Sequence, residues 1–171
     1  MKRKPAIILT ITITCLLYTS AFKSFSAEIL GVYFSPDKCA DKPIIQLYDG
    51  AEKYIHLAIY SLTKDEFAEA LVRAHKRGVE VKVLIDKGQA NDVNCDGEML
   101  ENAGVELRRS KGSGSMHNKF AVIDGIIIYT GSYNHTTNAT TKNDENYIVI
   151  KDKDIAEAFE KQFQKIWEKH K

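Results

Sequence analysis

Cysteine, proline and tryptophan are scarce in this chain of 171 residues, at three, three and one. Three cysteines are too few to staple a small fold together with disulfides, and so little proline excludes a collagen-like fibre. An excess of one charge is missing too. There are 24 basic side chains against 23 acidic ones, a net of +1 that by itself points to neither nucleic acid nor membrane. No apolar run reaches the ~20 residues that a membrane-spanning helix needs. There is no internal repeat, low-complexity tract or dividing linker. What remains is 44% hydrophobic and 27% charged, the composition of one globular domain that buries roughly two-thirds of its unfolded surface.

Acidic residues are absent before Glu28, and that absence is informative. Met1-Lys2-Arg3-Lys4 is basic, and the stretch from Ala6 to Tyr18 is apolar apart from three threonines and Cys15. Small residues then flank Phe25 in Ser24-Phe25-Ser26. Basic start, short apolar run and small-residue exit predict a secretory signal peptide over residues 1–26. Cleavage is expected after Ser26, with Ala21 and Ala27 as alternative sites. The competing reading is a retained anchor, against which the shortness of the run and its threonines both count. The domain proper is then 27–171, expected in the periplasm or outside the cell, with no stable membrane insertion once the signal is cut.

Cleavage removes Lys2, Arg3, Lys4 and Lys23 and leaves 20 basic against 23 acidic residues, a net of about −3. It also leaves two cysteines, Cys39 and Cys95. In an oxidising compartment they are expected to pair, a bridge worth roughly 4 kcal/mol in the chain-entropy model. Two free thiols is the alternative.

Strand and helix patterns alternate along the rest. Strands are expected over Ile29–Phe34, Tyr54–Tyr60, Val79–Ile85, Val105–Leu107, Asn118–Ile123, Ile126–Thr130 and Tyr147–Ile150. Helices are expected over Lys42–Lys53, Asp65–Arg77, Asp96–Asn102 and Asp152–His170, the last with Ala156, Phe159, Phe163, Ile166 and Trp167 on one face. The order predicts an α/β fold with a mixed, largely parallel sheet sandwiched by helices.

The chemistry concentrates in the second half. Arg108-Arg109-Ser110-Lys111 is basic, Gly112 to Ser115 is glycine- and serine-rich, and Met116-His117-Asn118-Lys119-Phe120-Ala121-Val122-Ile123-Asp124-Gly125 follows. On an extended segment His117 and Lys119 point to the same side, and Asp124-Gly125 is a hairpin signal. Next come Gly131-Ser132-Tyr133-Asn134-His135 and, before the last strand, Asn143-Asp144-Glu145-Asn146. A histidine can attack phosphorus, and a neighbouring lysine can hold the phosphoryl oxygens. Ser132 and Asn134 can donate further hydrogen bonds, and Glu145 can fix an imidazole tautomer. No carboxylates or histidines cluster at metal-ligand spacing. No metal or other cofactor is therefore expected, and activity is expected to survive a chelator.

The H-x-K-x4-D element of His117, Lys119 and Asp124, with Ser132, Asn134 and Glu145 at these offsets, resembles the phospholipase D superfamily. Within it the chain is similar to small exported bacterial endonucleases carrying a single such element. The resemblance implies a two-fold homodimer in which the two copies of His117 meet. One would form a phosphohistidine while the other protonates the leaving oxygen and later activates water. It also implies that Lys119, Ser132 and Asn134 clamp the phosphate and that Glu145 orients a histidine. Asp124 is expected to support the site structurally, for instance through an ion pair.

The expected substrate is nucleic acid, met by Arg108, Arg109 and Lys111 as a local basic patch, with little sequence specificity. His135 is a further candidate contact. A lipid phosphodiesterase using the same histidine chemistry is the alternative, and a non-catalytic DNA-binding protein of the same fold is a third reading. His56 is expected to be a buried or edge-strand residue, His75 to be solvated at a basic helix end, and Tyr133 to pack inward.

Overall fold

A computed structural model describes residues 27–37 and 39–171. The expected signal peptide, residues 1–26 with Cys15, lies outside the described residues. The strands are β1 (Glu28–Ser35), β2 (Tyr54–Ile59), β3 (Glu80–Ile85), β4 (Glu106–Arg109), β5 (Lys119–Ile123), β6 (Ile127–Gly131) and β7 (Glu145–Lys151). The helices are α1 (Lys42–Asp49), α2 (Asp65–Lys76), α3 (Gly97–Asn102), α4 (Thr137–Thr141) and α5 (Lys153–Lys169). The strands form one sheet in the order β1-β7-β6-β5-β2-β3-β4.

The sheet is mixed, as the sequence predicts, but its parallel share is smaller than expected. Only β2–β3 and β3–β4 are parallel, and the other four pairings are antiparallel. The reason is local. Helical crossovers end with α3, and from β5 onward a tight hairpin and the short α4 connection return the chain in the opposite sense.

Helices cover both faces. On one, α1, α2 and α3 pack Ile44, Phe67 and Leu71 against Leu57, Ile59, Val83 and Tyr129. On the other, α5 lays Phe163 and Trp167 over Ala58, Phe120, Val122 and Ile128. Its first turn is capped by Asp152, whose carboxylate accepts from the Ile155 amide at 2.8 Å. His56, buried as expected, ties β2 to α5 through its Nδ1 contact to Glu160 at 2.9 Å and stacks on Phe163.

Asp124 and Gly125 carry φ of 54° and 71°, consecutive left-handed residues that turn the tight three-residue loop between β5 and β6. The Asp124 carboxylate accepts from the backbone amides of Lys53 at 2.7 Å and of Glu52 and Tyr54 at 3.1 Å each. Its role is therefore structural, but through amides rather than an ion pair. It also lies at the far end of β5, roughly 20 Å of extended chain from His117, which removes it from the catalytic set.

The expected disulfide is absent. Cys39 is exposed just before α1, Cys95 is half-buried just before α3, and both are free thiols.

Candidate active site

Lys119 opens the hydrophobic strand β5, and His117 lies two residues before it. Ile59 at the end of β2 is the register partner of Lys119, so the pair emerges at the end of the sheet where β2 and β3 also finish. Lys119 is buried, and its ammonium lies 2.9 Å from the His117 carbonyl and 3.1 Å from His117 Nδ1. Tyr60 packs beneath both, its ring centroid 4.5 Å from the imidazole and 4.8 Å from the Lys119 nitrogen. Burial pushes the Lys119 pKa below its ordinary value, against the opposing pull of Glu145 and Asp86.

An ammonium can only donate. The His117 Nδ1 facing it is therefore a lone pair, and the neutral imidazole carries its proton on Nε2. As found in one chain, Nε2 of His117 carries a proton and not the lone pair that attack on phosphorus needs.

Ser132 and Glu145 reach the same region from β6 and β7. Ser132 Oγ donates to Glu145 Oε2 at 2.5 Å and accepts from the Asn146 amide at 3.1 Å. Asn143 Nδ2 donates to the other carboxylate oxygen at 3.0 Å. Glu145 thus holds Ser132 and Asn143 and not, within one chain, the imidazole assigned to it above. Gly131 makes this approach possible, because a Cβ there would lie 2.1 Å from the Asn146 carbonyl oxygen. Asn134 is half-buried at the same end, and its Oδ1 is buried with no hydrogen-bond partner.

His135 is not a substrate contact. It is fully buried, stacked on Phe67 with 4.0 Å between ring centroids, and its Nε2 lies 2.9 Å from the Tyr48 hydroxyl and 3.0 Å from that of Tyr129. Burial pushes its pKa down to about 3. Tyr133 packs inward as expected, its hydroxyl 2.6 Å from that of Thr140.

The expected basic patch is mostly engaged elsewhere. Arg109 forms a two-pronged pair with Glu101, at 2.6 and 2.9 Å. Arg108 lies over the Trp167 ring at 4.1 Å and pairs with Glu106 and Glu168. The Lys111 ammonium bonds the Lys171 carbonyl. Arg109 is three strands from Lys119, about 15 Å across the sheet. These side chains buttress α3 and α5, and although Arg109 is in register with Lys119, they do not form a free cluster beside His117.

Two residues of the site were missed by sequence reasoning. Tyr60 was read only as the end of a strand. Asp86, buried at the end of β3, accepts from the Met116 amide at 2.8 Å and from the Gly88 amide at 2.8 Å, with Ser110 Oγ 3.4 Å away. It fixes the backbone immediately before His117. The signal available was an aspartate ending the clearest apolar strand.

Beside His117 an open groove of about 360 Å³ runs toward α5, lined by Lys119, Phe120, Thr130, Phe159 and Gln162 among others. Among the described residues, no three His, Cys, Asp or Glu side chains are grouped to hold a metal ion.

Residues 44–167 match the family model described as "Cardiolipin synthase, PLD-like domain". The chain is 33% identical over 121 residues to a mitochondrial cardiolipin hydrolase of Chlamydomonas reinhardtii, covering 71% of this chain and 54% of that one. It is 32% identical over 126 residues to a phospholipase D of Rickettsia felis, covering 74% and 63%. The chain thus spans little more than half the length of these curated relatives. The crystal structure of Nuc, a phospholipase D family member from Salmonella typhimurium, superposes with a TM-score of 0.79 at 32% identity, over 85% of this chain and 97% of Nuc. A family match over most of the chain, the mixed seven-stranded sheet and the His117–Lys119 pair at its end lead to one conclusion: this chain belongs to the phospholipase D superfamily.

Proposed function

We propose that the protein is a metal-independent phosphodiesterase that cuts nucleic acid internally, through a phosphohistidine on His117, at a site shared by two copies of the chain. The carrying observation is an exposed imidazole held beside a buried lysine, with Ser132, Asn134 and Glu145 converging on the same end of the sheet.

In the first step, Nε2 of one His117 attacks phosphorus and the bond to the leaving oxygen breaks. That oxygen takes the electron pair and receives the Nε2 proton of the second copy's His117. In the second step water attacks phosphorus, the second His117 takes its proton, and the phosphorus–nitrogen bond breaks to free the first. Lys119, Ser132 and Asn134 hold the unreacting oxygens. The two histidines need different protonation states: the nucleophile is a neutral imidazole with its lone pair on Nε2, and the donor an imidazolium protonated on both nitrogens. The nucleophile needs its Nδ1 proton directed to an acceptor, and Glu145 is the carboxylate that can turn from Ser132 to supply one.

The dimer is supported by what one chain lacks, a second histidine at the site, and by an uncovered face. Helix α5 covers β2, β5 and β6, while Ile29, Val32 and Phe34 on β1 are 61%, 53% and 66% exposed. Tyr33 stacks on Tyr147 toward α1, so by strand alternation Val32 and Phe34 face the α5 side. Docking two copies through this face would bury the ridge. Export is part of the same proposal, resting on the pattern of residues 1–26. Among the described residues no helix is long and apolar enough to cross a membrane.

Nucleic acid is favoured by the sequence resemblance to small endonucleases and by the near-complete coverage of Nuc. A lipid phosphodiesterase is the second reading, favoured by the names of the relatives and by Phe120 and Phe159 in the groove. Purified protein incubated with plasmid DNA, single-stranded DNA and phospholipid vesicles, all in EDTA, separates them. Cutting of DNA in chelator is expected. Cleavage of lipid alone overturns the nuclease reading, and activity abolished by EDTA and restored by a divalent ion overturns metal independence.

A further inference from the structure

Across Tyr60 from the groove beside His117 lies a second cavity, of about 330 Å³. Its walls include Tyr60, Gln89, Asn134, Thr137, Asn138 and Asn143. We propose that this cavity is a nucleoside subsite, taking the base and sugar next to the scissile phosphate. The inference rests on the nuclease reading and adds where the substrate strand is gripped.

Three observations carry it. First, the cavity is joined to the chemistry through shared residues. Tyr60 packs on His117 and receives a hydrogen bond from Gln89 Nε2 at 3.3 Å, while Asn143 donates to the Glu145 that holds Ser132. A phosphate held by Lys119 and Ser132 therefore has this cavity beside it. Second, the wall carries four carboxamides, threonine and serine hydroxyls and one carboxylate, Asp92, but no lysine or arginine. Such a wall suits an uncharged group rich in donors and acceptors rather than another phosphate. Carboxamides present a donor and an acceptor side by side, the pattern that pairs with the edge of a base. An acyl chain finds no counterpart among them. Third, Asn134 brings a buried Oδ1 with no partner to this wall. A buried acceptor left unpaired is costly, and turning the Asn134 carboxamide toward a ligand amino or hydroxyl group in the cavity relieves that cost.

The test compares two substrates in the intact protein. One is a labelled oligonucleotide, and the other is bis(4-nitrophenyl) phosphate, a diester with no base or sugar. Asn138→Ala and Thr137→Val change the wall without touching His117, Lys119, Ser132 or Glu145, and thermal melting checks that each variant folds. The expected result is a roughly tenfold higher KM for the oligonucleotide with an unchanged rate on the small diester. Equal losses on both substrates, or no change on the oligonucleotide, overturn the subsite while leaving the nuclease reading intact. If the unmutated protein cleaves the small diester and glycerophosphodiesters but not the oligonucleotide, the nuclease reading falls and the subsite with it.

Discussion

The Lys119 ammonium stands 3.1 Å from Nδ1 of His117, which assigns the imidazole proton to Nε2 and gives the lysine two tasks. It orients the histidine, and it brings a positive charge to where phosphoryl oxygens must sit. Burial lowers its pKa, so the charge is lost at a lower pH than for an ordinary lysine. Activity is therefore expected to fall on the alkaline side as Lys119 deprotonates. Lys119→Ala should lower kcat by about 10²- to 10³-fold, the loss typical of a preorganised donor. It should also remove that alkaline limb from the pH–rate profile. A limb unchanged in the variant contradicts the assignment.

Asp86 couples the end of β3 to the residue preceding His117. Asp86→Ala strands the Met116 and Gly88 amides and is expected to cost about 2–4 kcal/mol of stability, read by urea unfolding. Asp86→Asn keeps only one of the two accepting oxygens and removes a negative charge that sustains the Lys119 ammonium. Its pH–rate profile should therefore show the alkaline limb shifted to lower pH, with a smaller loss of stability than Asp86→Ala.

His135 makes an opposite kind of prediction, about stability and not catalysis. Its folded pKa of about 3 lies below the ~6.5 of an unfolded chain. The native state thus excludes a proton that the unfolded state binds. The resulting stability is complete above pH 6.5 and is lost as the pH falls toward 3, with a slope approaching about 1.4 kcal/mol per pH unit. Denaturant titrations between pH 7 and 4 should show this slope, and His135→Phe should flatten it.

The β1 ridge predicts the association state. Val32→Asp with Phe34→Asp places charge on the proposed interface and is expected to yield monomers by light scattering, with activity lost in parallel. The same change with no effect on mass or rate places the contact elsewhere.

Much of this was legible in the residues. His117, Lys119, Ser132 and Asn134 stand in short segments whose period-2 pattern and turn residues place them at one end of a strand or just past it. The hairpin at Asp124-Gly125 was legible for the same reason. Relations across the sheet were not. Arg109 reads as a free cation until Glu101 of α3 is set beside it, and His135 reads as a loop residue until Tyr48, Phe67 and Tyr129 close over it. Asp86 acts on a backbone amide 30 residues away, a partner that no local pattern encodes. The parallel bias was overestimated because strand-helix alternation was extended past α3, where the connections shorten.

The shared site is tested most directly by mixing subunits. Unmutated and His117→Asn chains are combined at varied ratios, allowed to exchange, and assayed on DNA at fixed total protein. With both histidines required in each dimer, activity follows the square of the unmutated fraction, falling to one quarter at equal amounts. Activity in direct proportion to that fraction, one half at equal amounts, contradicts the shared site.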